Sequence, residues 1–368
     1  MTKTVHIVGG GLSGLSAAVH AKSLGFSVKL YEASPQLGGR IKKVSHHDNG
    51  THLLVGAYRD SFEYLDMIGT RDQLKATKGG CFSMSEGPLT WDIPAHSFFR
   101  SLLTGAVPGV NAFNLFGKTA QRRVWTPLIL AIYNTRPSCV SRKLVWQTAR
   151  EVLRAGQDGL TPYLAIGTLY DAFVAPALAG IDVITGARLQ GVEADRLQFK
   201  TMDVVLNGDN RAILALPLSA YRHINHPLDI AHHPDRPITN VHFYLEQPVG
   251  ERFFGLVNTL SQWVHAKDKM ISVTISDYQP NDDKLAQKVW REICFHFDKA
   301  ETNCPNHKIV CEKRATPLQD KGFCKVRRAV KTDFPHIFMA GDWTETKLPA
   351  TIESAVRSGK IAAQSVFG

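Results

Sequence analysis

Acidic residues are scarce in this 368-residue chain: 33 Asp and Glu stand against 43 Lys and Arg, a formal net charge of +10. The excess is dispersed, which argues against a nucleic-acid footprint. Short clusters such as Lys42-Lys43, Arg122-Arg123 and Arg327-Arg328 read as solvated surface, with adsorption to an anionic membrane as the other reading. Long apolar runs are missing too. No uncharged stretch reaches the roughly 18 residues that a membrane-crossing helix needs, so nothing is expected to span a bilayer. The six cysteines (Cys81, Cys139, Cys294, Cys304, Cys311, Cys324) contain no C-x-x-C pair and no zinc-ligand spacing. In a chain far larger than disulfide-stapled scaffolds they read as reduced thiols, with no metal. The first glycine motif follows Met1 so closely that no room is left for a signal peptide, and a cytoplasmic protein is expected. Internal repeats and low-complexity tracts are also lacking.

What is present begins at the N-terminus. A short β-branched run, residues 4–8, leads into Gly9-Gly10-Gly11-Leu12-Ser13-Gly14 and then an apolar stretch, Leu15 to Leu24, of helical character. Strand, glycine turn and helix in that order form a dinucleotide-binding unit. Gly9 permits the sharp reversal, Gly11 lets a pyrophosphate approach the backbone, and Gly14 lets the helix pack on the strand. The helix N-terminus offers unpaired N–H groups to the phosphates, with Leu12 and Ser13 of the turn in the same binding site. A second strand, Ser27 to Tyr31, ends at Glu32 and Ala33, where an acid accepts from a ribose. Shortly after come Leu37-Gly38-Gly39-Arg40, two glycines for close backbone approach and a guanidinium for an anionic oxygen.

The other end of the chain supplies a second half-site. His336 to Ala340 reads as a buried strand running into Gly341-Asp342, which suits a ribityl chain. Pro349-Ala350-Thr351-Ile352-Glu353 to Gly359 reads as a helix with proline near its first turn. Its N-terminal amides would face the N1 and C2 carbonyl of a flavin, where negative charge collects on reduction. A nicotinamide enzyme has no use for such a site at the far terminus, so the cofactor is expected to be FAD.

Between these ends, Asp60–Ile68, Arg100–Lys118, Gln121–Ile132 and Lys143–Ala155 read as helices, in a mostly helical block over 75–175. Short strands follow from Asp182 to Pro217. Three alternating runs (Ile238–Leu245, Phe254–Val264, Met270–Ile275) then suggest an antiparallel sheet, completed by a helix over Asp283–Phe297 and a strand over Lys308–Lys313. The expected fold is α/β: a Rossmann-like FAD-binding domain, discontinuous in sequence (1–75, 179–230, 329–368), with a second α+β substrate domain (76–178 and 231–328) built on an antiparallel sheet.

The two terminal segments together resemble the flavin-dependent amine-oxidase superfamily. Within it, three segments resemble the hydroxysqualene dehydroxylase (squalene-associated FAD-dependent desaturase) family: Asp48-Asn49-Gly50-Thr51-His52 through Gly56-Ala57-Tyr58, Pro127 through Ala131 to Asn134-Thr135, and Ala340-Gly341-Asp342 through Leu348-Pro349-Ala350-Thr351-Ile352-Glu353. The stretch Arg136-Pro137-Ser138-Cys139 departs from the pattern. The resemblance implies FAD, bound without a covalent link because no cysteine stands where one would attach it. Backbone near Leu189 would touch the adenine side. It further implies a lipophilic C30 isoprenoid alcohol reduced to squalene, and an unidentified electron donor. A proton donor is needed. His52 comes first, then Tyr58, then Asp48; His52 reads equally as a structural histidine, Tyr58 as a packing residue. Asn134 either orients the hydroxyl or is a satisfied buried amide. The apolar segment Ile93–Phe116 reads as cavity wall or as a stretch that dips into lipid. Rival readings are a carotenoid-type desaturase, an amine oxidase, and a non-catalytic prenyl-binding carrier.

Overall fold

Residues 3–44, 46–94 and 117–368 are described by the computed structural model. The segment Ile93–Phe116 and the helix expected over Arg100–Lys118 therefore lie, apart from their ends, outside the described residues.

The strand Thr4–Val8 is buried on both faces from Val5 onward and apolar there at Val5, Ile7 and Val8, as a central parallel strand requires. Its exception, His6, is buried 3.0 Å from the Tyr31 hydroxyl, and burial, aided by the charge of Lys29, pushes its pKa down to about 4. The five-stranded sheet runs Asp182–Thr185, Ser27–Glu32, Thr4–Val8, Asn210–Leu214, Ile337–Met339, with every neighbouring pair parallel. Chain order moves outward from Thr4–Val8 in both directions. A crevice is thereby placed at the carboxyl end of that strand, beside Asn210–Leu214. The helices Leu12–Ser23 and Ile352–Ser365 pack together, and the Ser16 hydroxyl donates to the Val356 carbonyl at 2.7 Å. The two chain ends thus fold as one layer.

The strands expected between Asp182 and Pro217 divide. The first and last join the parallel sheet, while Leu189–Glu193, Arg196–Phe199 and Asp203–Val205 form a separate antiparallel sheet of three.

The second large sheet is organised by one 22-residue strand, Asp235–Leu256. It pairs antiparallel with Trp263–Ser276 and, over its first half, with Asn306–Pro317; its end runs parallel to Cys81–Glu86, which pairs with Leu89–Pro94. The three alternating runs are therefore two strands. Register shifts between Tyr244, Val249 and Arg252 let hydrogen bonding continue where Glu246-Gln247-Pro248 interrupt the alternation, and the chain reversal after Leu256 falls inside the run Phe254–Val264. The block over 75–175 is likewise less helical than expected. Its hairpin Cys81–Pro94 alternates, with Phe82 and Met84 buried, and belongs to this sheet. The helices Thr126–Tyr133 and Arg142–Ala155 do form, the first entered through a π-helical turn, Gln121–Trp125. Among the described residues no helix is long and apolar enough to cross a membrane.

Candidate active site

The glycine turn is dictated by space. A Cβ on Gly9, whose φ is +109°, would lie 2.4 Å from the Ala215 carbonyl oxygen, and one on Gly14 would lie 1.9 Å from that of Gly9. Any side chain there would force helix Leu12–Ser23 off the strand. Gly11 meets only Gly39, at 3.8 Å, so the ledge stays open. Gly11 is also the N-cap of this helix and provides no side-chain cap, which leaves the amides of Leu12, Ser13 and Gly14 without intrahelical acceptors. An anion fits that arrangement.

Glu32 closes one side. Its Oε2 accepts from Gly10 N at 2.8 Å, and its Oε1 accepts from Ser34 N and Oγ at 2.8 and 2.9 Å, around Ala33. The carboxylate keeps a lone pair for a further donor. Ala187 N donates to the Glu32 carbonyl at 2.9 Å, which brings the chain entering Leu189 against the same strand end.

Arg40 joins the two ends of the chain. Gly38 N donates to Gly10 O at 2.8 Å, and the guanidinium two residues on pairs with Asp342 at 2.8 Å and donates to Ala315 O at 2.7 Å. Asp342 is buried, and the preceding Gly341 N donates to Ser358 Oγ at 2.9 Å. The C-terminal helix starts later than expected. Thr351 is its N-cap, accepting from Ser354 N at 3.4 Å, so Pro349 and Ala350 belong to the approach loop. Ala350 N is committed to Gln319 Oε1 at 2.8 Å, which leaves Thr351 and Ile352 at the helix mouth.

The catalytic candidates separate. Tyr58 lies beside the Thr351 hydroxyl, and burial pushes its phenol up to about 12. His52 is half-buried, with Nε2 3.4 Å from Asn49 Oδ1; burial holds its pKa below the ordinary value, against the pull of Asp48, so imidazolium is not its resting form. Asp48 is occupied, accepting from Leu169 N at 2.7 Å and Tyr170 N at 3.4 Å. Asn134 fits the satisfied-amide reading. Its Nδ2 donates to Arg236 O, Pro237 O and Thr316 Oγ1 at 3.1–3.3 Å, and its Oδ1 accepts from Asp277 N at 2.6 Å.

Three residues have supporting roles that the sequence reading did not assign. Gln319, fully buried, ties Ala350 N to the Tyr133 carbonyl, accepting from the one and donating to the other at 2.9 Å. Arg327 is a correction: it is buried rather than solvated, donating to the carbonyls of Thr344 and Leu348 and to Thr346 Oγ1. Glu353 bonds to the start of helix Arg59–Ile68. Nothing in their neighbouring residues marks Gln319 or Arg327, because their partners are mostly backbone.

This fold and this crevice define a dinucleotide-binding protein in which both ends of the chain meet beside the glycine turn. The sequence matches the family described as flavin containing amine oxidoreductase over residues 109–367, and a NAD(P)-binding Rossmann-like domain over residues 7–67. It is 31% identical to the hydroxysqualene dehydroxylase of Rhodopseudomonas palustris, covering 100% of this chain and 99% of that one. It is 31% identical to that of Sinorhizobium fredii, covering 99% and 98%. The cyclohexylamine oxidase of Brevibacterium oxydans superposes with a TM-score of 0.72 at 13% identity, over 100% and 99% of the chains, a likeness of fold. The chain belongs to the flavin containing amine oxidoreductases and, within them, to the family of the hydroxysqualene dehydroxylases. It is an FAD-dependent oxidoreductase.

Proposed function

We propose that the chain reduces hydroxysqualene to squalene. What supports this reading is likeness to hydroxysqualene dehydroxylases over essentially the whole length of both chains. In the balanced reaction the C–O bond of an allylic alcohol breaks and a C–H bond forms, and the hydroxyl leaves with one added proton as water. When bound, reduced FAD would supply the hydride and with it both electrons. Gly9, Gly11, Leu12, Ser13 and Gly14 would hold its pyrophosphate; Glu32 and Ala33 its adenosine ribose; and Leu189 the adenine side. Gly38, Gly39, Arg40, Gly341 and Asp342 would hold the ribityl phosphate region, with Ala350, Thr351 and Ile352 at the ring.

The residues must protonate a poor leaving group without admitting bulk water. Tyr58 is the donor we favour, because its phenol is protonated at physiological pH and lies beside the Thr351 hydroxyl at the helix mouth. His52, neutral at rest, would orient the hydroxyl through Nδ1, because Nε2 faces Asn49 Oδ1, and Asn134 would brace the backbone of Arg236 and Pro237. The test is anaerobic incubation of hydroxysqualene with the dithionite-reduced holoenzyme and analysis of the product. Squalene in stoichiometric yield is expected. No squalene, together with oxidation of a carotene or an amine by the oxidised enzyme, would overturn the reading.

A further inference from the structure

The helix Arg142–Ala155 has two unlike faces. Leu144, Ala149 and Val152 are buried. At 100° per residue its exposed residues, Arg142, Lys143, Trp146, Arg150 and Arg154, all fall within an arc of about 120°. Four of these are cations, and the fifth is a tryptophan left 39% exposed. The one acid of the helix, Glu151, is half-buried and turned aside to Arg357 at 3.1 Å and Arg154 at 2.7 Å. The side chains of Arg142, Lys143 and Arg150 take part in no ion pair or hydrogen bond among the described residues.

Their position makes this harder to explain from within the fold. Arg142 and Lys143 occupy the first turn, which carries no acid, where the positive end of the helix dipole disfavours them. The neighbouring chain adds to the charge. Ser141 Oγ lies 3.1 Å from Cys324 Sγ, which sets the exposed Lys321 and Lys325 alongside. The acid preceding them, Asp320, is engaged with Phe323 N and His233.

We propose that this face docks the enzyme on an anionic bilayer surface. The cations complement acidic headgroups, and the indole between them has the amphipathic form that settles at headgroup depth. The choice of a bilayer over an acidic macromolecule rests on the proposed lipophilic substrate, which a membrane would deliver.

The holoenzyme is sedimented at low salt with vesicles of phosphatidylcholine, with and without phosphatidylglycerol. Binding is expected only where phosphatidylglycerol is present, with reversal by high salt. The triple variant Arg142→Gln, Lys143→Gln, Arg150→Gln should weaken it about fivefold per cation, or roughly a hundredfold in all. On binding, the wild-type emission should shift to the blue, and Trp146→Phe should lose most of that shift. Thermal stability of the triple variant should hold, because the replaced side chains are exposed and relieve the dipole. Its turnover of hydroxysqualene presented in detergent micelles should equal wild type. Inactivity of both proteins there would defeat the proposed reaction while leaving the vesicle result standing. Docking is overturned if the wild type stays in the supernatant, binds neutral vesicles equally, binds as tightly after the triple substitution, or binds only polyglutamate.

Discussion

Glu353, in the first turn of the last helix, caps a helix that begins near the other end of the chain: its Oε2 accepts from Ser61 N at 2.9 Å and Ser61 Oγ at 2.7 Å, across 292 residues. Oε1 accepts from Asp60 N at 3.0 Å, and Arg357 closes the group at 3.3 Å. Tyr58, immediately before that helix, has no side-chain means of capping it. The carboxylate therefore fixes the start of the helix after Tyr58 relative to the start of the C-terminal helix. Burial raises Glu353 from an ordinary 4.5 to about 7, with the charge of Asp60 pushing the same way and the Ser61 bonds opposing.

A stability profile follows with a definite sign. Between the two pKa values the native state holds a proton that the unfolded chain has released, so this contribution is complete below pH 4.5 and lost as pH rises through about 7. Glu353→Gln should abolish it. Urea unfolding of both proteins from pH 4.5 to 8 should show their difference changing by on the order of 3 kcal/mol. Parallel profiles would mean that Glu353 stays ionised throughout.

His242 should act in the opposite direction. It is fully buried in the second sheet, with Nδ1 2.7 Å from Ser272 Oγ and Nε2 3.3 Å from the Asn49 carbonyl. Burial, with His47 adding repulsion, takes it from 6.5 to about 4. Below pH 6.5 the unfolded chain binds a proton that the native ring refuses, so stability falls from there down to about pH 4. The loss is roughly 3 kcal/mol from this ring alone, and His242→Gln should unfold with a correspondingly flatter acid limb.

These two residues show where sequence reading stops. Gly9, Gly14 and Arg40 were legible because their constraints are local: a reversal, a close packing contact, a loop beside the glycine turn. The Rossmann sheet followed from the same local signals. The long strand Asp235–Leu256 was not, since hydrogen bonding bridged a polar interruption that periodicity reads as an end. Glu353, Gln319 and Arg327 act mainly through partners from other segments, and a single sequence carries no record of who meets whom. Asn134 stood out as part of a motif, yet only its four partners identify it with the satisfied amide.

The ion pair of Arg40 and Asp342 should govern FAD retention. Asp342→Asn keeps the shape and removes the charge that holds the guanidinium at 2.8 Å. FAD affinity, measured by fluorescence on titrating apoprotein, should fall roughly tenfold. Unchanged affinity would place the cofactor away from this pair.

Tyr58→Phe and His52→Gln distinguish the proposed donor from its rival. Loss of a general acid costs about 10²- to 10⁴-fold in rate, so single-turnover oxidation of the reduced enzyme by hydroxysqualene should slow by that much in Tyr58→Phe. His52→Gln should lose about tenfold or less, with the flavin spectrum intact. The reverse order would make His52 the donor, despite a pKa held low by burial.

Arg327 tests whether the loop before the C-terminal helix is held or merely follows the cofactor. Its guanidinium donates to Thr344 O at 2.8 Å, Leu348 O at 2.7 Å and Thr346 Oγ1 at 2.9 Å, so one planar group spans the approach loop. Lysine has a single ammonium and cannot reach three acceptors in that plane. Arg327→Lys would strand buried carbonyls, and Arg327→Met would strand all of them, at a cost of about 3 kcal/mol or more. If the loop depends on this residue, both variants should melt lower and release FAD faster, and excess FAD should restore only part of the lost stability. Full recovery with added FAD would instead mean that the cofactor orders the loop and Arg327 follows.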